Sequence, residues 1–138
     1  MKKLPVAGSI VVLLHATFAS LYHLAHERID LTWTFVGHWM VVVLFIAGPF
    51  LGIVLLSTPY QRQGAVVLLG SFLAALLSAG YLRIFEKTQH LDLQFQPTLW
   101  FIVYQGAFVL LLGTQLAGAW LGWKALLEVH APESEPQS

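Results

Sequence analysis

With 138 residues, the chain is the size of a single domain. Only 10% of it is charged and 57% is hydrophobic, against roughly a quarter charged in an ordinary soluble domain. Seven basic and seven acidic side chains balance, which excludes a polycationic face for nucleic acid, and the lack of cysteine excludes zinc fingers and thiol redox motifs.

Four long apolar stretches run at about 4–25, 32–56, 64–82 and 98–127. A spanning helix needs about 20 apolar residues to cross about 30 Å of hydrocarbon. None of the four carries Asp, Glu or Arg in its interior, and Lys124 sits where it can snorkel to the surface. The expected fold class is an all-α integral membrane protein, an up-down bundle of four transmembrane helices within residues 1–130. A disordered polar tail is expected over 131–138.

The first stretch follows Met1-Lys2-Lys3 and so has the outline of a secretory signal, with a small-residue site at Thr17-Phe18-Ala19. It is longer than a signal core and contains His15, so a retained helix is expected. The links at 26–30 and 57–63 are short and predict antiparallel neighbours. The link at 84–97 is longer. There Leu91, Leu93 and Phe95 alternate with Asp92, Gln94 and Gln96, which suits an extended segment on the bilayer surface or a plain loop touching headgroups.

Within the second stretch, Gly48 and Gly52 flank Pro49, which removes the bond to the Phe45 carbonyl and should kink the helix. The third carries Ser71, Ala75 and Ala79 in one stripe, with Gly70, Ala74 and Ser78 beside it. The fourth carries Gly113 and Ala117, then Gly118 and Gly122. Small residues four apart let membrane helices approach closely. Trp33, Trp39, Trp100, Trp120 and Trp123 fall near the span ends, as an aromatic belt would. Lys2, Lys3, Arg62 and Lys124 lie on one side, against Arg28, Arg83 and Lys87 on the other. That places both termini in the cytoplasm of a multi-pass cell-membrane protein.

The histidines are the candidate site residues. Counted outward from the first hairpin, His23 and His38 differ in depth by only about 4–5 Å at ~1.5 Å per residue. His26 shares a face with His23, and Glu27, Asp30, Glu86 and His90 lie at the same edge. Imidazoles on facing helices can hold haem b or a metal ion, so His23, His38 and His26 are the candidate cofactor or metal ligands. Otherwise His23 and His26 are interfacial histidines, and His38 bonds across the hairpin to Ser20 or Tyr22. His15 lies deeper, and a hydrogen bond to Ser71 is expected there, because an unpaired polar group in hydrocarbon costs several kcal/mol. His15, Tyr22 and His26 fall on one line of the first helix, and Tyr104 and Gln115 on one line of the fourth. They outline either a polar path or a hydrogen-bonded core layer.

No nucleophile–base pair, phosphate-cradling glycine loop or paired intramembrane carboxylate occurs. The function expected first is a scaffold or accessory subunit without catalysis of its own, lying in the lipid bilayer and packing against itself or other membrane subunits. The alternative is a haem- or metal-binding redox protein. A small-solute or proton carrier resting on His15 and Gln115 comes third.

Overall fold

The computed structural model describes residues 3–29, 39–89 and 99–130. The described residues are helical apart from short turns, with no strand among them. Helix α1 covers Lys3–Arg28, a π-helical segment covers Val41–Ala47, α2 covers Gly48–Leu56, α3 covers Gln61–Gln89, and α4 covers Leu99–His130. Among the described residues three stretches are long and apolar enough to cross a membrane: Leu4–Arg28, Gln61–Tyr81 and Leu99–Val129. The stretch Val41–Leu56 is shorter. The first part of the expected second span lies outside the described residues.

Helices outrun the apolar stretches that announce them. Residues 84–89 were expected to open a long link, yet α3 continues to Gln89. Their sequence contains Glu, Lys and Gln and no Gly or Pro, so nothing stops the backbone ladder where hydrophobicity ends. Likewise α1 runs past Ala25 to Arg28, into the expected first link. The alternating residues from Leu91 to Phe95, the tail at 131–138, His38 and His90 all lie outside the described residues.

Pro49 acts differently from a simple kink. The Gly48 N–H donates to the Val43 carbonyl, five residues back, and the seven residues Val41–Ala47 adopt the wide π register. Proline has no N–H to give the Phe45 carbonyl, and its ring would collide with that oxygen in a tight α turn. Widening the preceding turns relieves that collision and leaves Val41 and Phe45 facing the core.

Packing order departs from chain order. α1 packs chiefly on α4, α4 on α3, and α3 on α2, while α1 touches the π segment and α2 only thinly. Glycines set the closest approaches. A Cβ on Gly52 would stand 2.9 Å from the Leu68 Cα, one on Gly122 would stand 2.7 Å from the Leu69 nitrogen, and one on Gly118 would strike the Phe72 ring. Among the described residues the core has two clusters. One joins Ala19, Tyr22, Phe45, Ala75, Tyr104 and Leu111, and the other joins Val12, Leu56, Leu68, Phe72 and Ala125. Large apolar side chains coat the outside, among them Ile10, Val43, Val54, Leu77 and Val109.

Candidate functional site

His15 sits where the two core clusters meet. Its ring stacks on Phe45 at 5.7 Å and meets Phe72 edge-on at 5.0 Å, with both distances taken between centroids. Its Nδ1 lies 3.0 Å from the Thr114 hydroxyl, which itself donates to the Leu111 carbonyl at 2.8 Å. One hydroxyl carries one proton, so both bonds are complete in the tautomer whose Nδ1–H donates to Thr114. In the neutral ring this puts the lone pair on Nε2. The expected partner, Ser71, is displaced: α3 turns Phe72 toward His15, and the Ser71 hydroxyl lies against Gly48. One residue past Thr114, Gln115 is fully buried, and among the described residues neither of its amide atoms has a hydrogen-bond partner.

A second polar layer lies further along α1. Tyr22 and Tyr104 stack at 4.8 Å, and their hydroxyls share a hydrogen bond of 3.0 Å. His26, 3% exposed, covers both rings at centroid distances of 6.2 and 6.0 Å. Tyr22 and His26 of α1 thus meet Tyr104 of α4, while His15 meets Thr114, a residue that sequence reasoning missed. A threonine one residue before Gln115 was available as a signal, but its hydroxyl reads equally well as a bond to its own helix.

The two layers are not continuous. His15 and Tyr22 are two turns apart, about 10 Å at ~1.5 Å per residue. The space between holds a cavity of about 10 Å³ lined by Ala19, Phe45, Phe108 and Leu111 together with Tyr22, Val41 and Ala79. A water there would need two or more polar partners, and this lining offers one phenol. The layers read as separate interhelical ties, each fastening α1 to α4, rather than as one path.

His23 and His26 part company despite their i, i+3 spacing. His26 goes under the tyrosines, whereas His23 Nε2 lies 3.3 Å from Glu27 Oε1 at the rim of a different space. That space is a cleft of about 200 Å³ between α1 and the π segment, lined by Ser20, His23, Leu24, Glu27, Val42 and Ile46 with Ala19 and Val41. Among the described residues no three His, Asp or Glu converge as metal ligands. His38, the proposed partner of His23, lies outside them. At this end of the bundle Arg28 sits over Trp100 at 5.6 Å, and at the other Lys124 sits over Trp120 at 5.4 Å.

Finally, α4 carries two small-residue rows whose roles the sequence does not distinguish. Gly118 and Gly122 are spent against Phe72 and Leu69 of α3. Gly106, Gly113 and Ala117 fall within about 20° of one line at 100° per residue, on the other side of the helix. All three are exposed, and a Cβ on either glycine would meet nothing within 4 Å. Comparison with protein-family models, curated proteins and solved structures finds no match to this chain.

Proposed function

We propose that this chain crosses the cell membrane four times as an up-down bundle with both ends in the cytoplasm, and that it serves as a noncatalytic scaffold subunit docking through the outer face of α4. Its large exposed apolar side chains support the membrane setting, since such a coat in water would drive aggregation. The observation that carries the docking reading is the contrast between the two rows on α4. The Gly118 row shows how this helix uses small residues to admit a neighbour, and the Gly106–Gly113–Ala117 row repeats the device facing outward. The interior histidines and tyrosines serve the same reading as ties that hold the scaffold in one shape.

The occupant is a second copy of this chain. The row is apolar along its length, and its end charge, Lys124, already rests on Trp120, so a like row can meet it without unpaired charge. The chain has no cysteine, which makes the test clean. Gly113→Cys should give a disulfide dimer on mild oxidation in native membranes, and Leu77→Cys on the outer face of α3 should not. A product of any other mass would point to a different subunit. Equal crosslinking at both positions would dismiss α4 as the docking face.

The second reading, haem b or a metal ion on His23, His26 and His38, draws support from His23 alone, which faces an open cleft. An absorption spectrum and metal analysis of the purified protein test it. A haem band lost in His23→Ala would establish it in place of the scaffold.

A further inference from the structure

The seam between α1 and the π segment leaves room between adjacent helices of the described bundle. At about 200 Å³ its cleft exceeds the cavities of about 10 and 30 Å³ described elsewhere in the bundle. It is open to the side, because α1 leans on α4 and not on its own sequence neighbour. The polar groups stand at one end. Glu27 and the His23 it pairs with keep 60% and 28% of their side chains exposed, so a visitor can reach both. Ser20 lies two turns deeper, about 10 Å at ~1.5 Å per residue, with its own proton given to the Ala16 carbonyl. Leu24, Val42 and Ile46 complete an apolar wall. Arg28 and Trp100, just beyond Glu27, mark the headgroup level, so the polar end faces the interface and the apolar end faces the hydrocarbon.

The lining selects among amphiphiles. It contains a carboxylate and no Lys or Arg, which repels phosphate and carboxylate heads. The carboxylate already has an imidazole partner, which weakens the case for an ammonium head. What remains is an uncharged head that donates a hydrogen bond, set on a body that packs against branched side chains. The volume is below the roughly 300–1,000 Å³ of sites that enclose a drug-sized ligand, so it fits a ring with its tail left in lipid. π segments are uncommon and recur at functional sites, and this one forms the wall.

We propose that this cleft binds a membrane-dissolved hydroquinone, its hydroxyl on the His23–Glu27 pair, its ring against Leu24, Val42 and Ile46, and its tail in the surrounding lipid. The proposal needs the membrane setting but not the contact at α4, and crosslinking at Gly113 is blind to it.

Calorimetric titration of the detergent-purified full chain with decyl-ubiquinol tests it. Saturable one-to-one binding is expected, weakened about tenfold in Glu27→Gln and in His23→Leu, since each loses a charge-assisted or polar anchor. Ile46→Trp, which fills the cleft, should abolish binding, and Leu77→Trp should leave it intact. Glu27→Gln is exposed and reports even if the tryptophan variant does not fold. Decylamine, decanoate and monodecanoylglycerol serve as competing heads. Tighter binding of any of them, or quinol uptake unchanged in Glu27→Gln, overturns the assignment.

Discussion

Thr114 and Gln115 stand side by side on α4, yet their expected energetic roles are opposite. Thr114 accepts from His15 and donates to its own helix, so its oxygen is fully used. Thr114→Val should strand the His15 Nδ1–H in an apolar core and lower stability by about 1–2 kcal/mol, the range for interhelical polar contacts in membranes. Gln115 holds two amide atoms with no partner among the described residues. Removing a buried polar group that satisfies nothing is neutral or stabilising, so Gln115→Leu should keep or raise the melting temperature in detergent. A large loss there would mean that the amide has an unseen partner, and the order of the two melting temperatures decides the matter. For the tyrosine layer, a cycle of Tyr22→Phe and Tyr104→Phe should give a coupling of about 0.6 kcal/mol. At this scale the sequence was informative about which polar residues turn inward and poor about their partners. Ser71 and Thr114 are both small hydroxyls at suitable depth, and only the rotation of α3 that brings Phe72 to His15 separates them.

Helices α3 and α4 show why glycines in one stripe pattern need not have one role. A Cβ at Gly52 or Gly118 would meet α3 at once, at the Leu68 backbone or the Phe72 ring, whereas at Gly70 it would meet nothing. Gly52→Ala and Gly118→Ala should therefore lower the unfolding temperature. Gly70→Ala should raise stability by up to about 0.5–1 kcal/mol through the conformational freedom removed from the unfolded chain. Equal effects at all three positions would contradict the assigned faces. Small-residue spacing was readable in the sequence. Which row is filled and which stays open was not, because that depends on how each helix is turned. Pro49 likewise announced an interruption, but the choice between a sharp bend and a wide π turn depends on Val41 and Phe45 both reaching the core.

For the molecule as a whole, hydrophobic run length located the helices well and their ends poorly, since a helix keeps its hydrogen bonds after its apolar residues stop, as α3 does to Gln89. The proposed four-span topology makes a labelling prediction. In the cysteine-free background, Gln61→Cys and Ser134→Cys should react only from the cytoplasmic side and Asp92→Cys only from the other. Reaction of positions 61 and 92 from one side would refute four crossings. The ring order carries a consequence for biogenesis. The partner of His15 is Thr114, 99 positions later in the chain. At about 5–20 residues per second, the first helix waits roughly 5–20 s after synthesis before the helix that satisfies its imidazole exists. During that interval His15 is a polar group without its partner in a lone hydrophobic segment, which raises the cost of leaving a protein-lined insertion site for lipid. Early release of α1 into lipid should thus be slow in the natural chain and faster in His15→Leu, measurable by site-specific crosslinking of stalled nascent chains to the translocon.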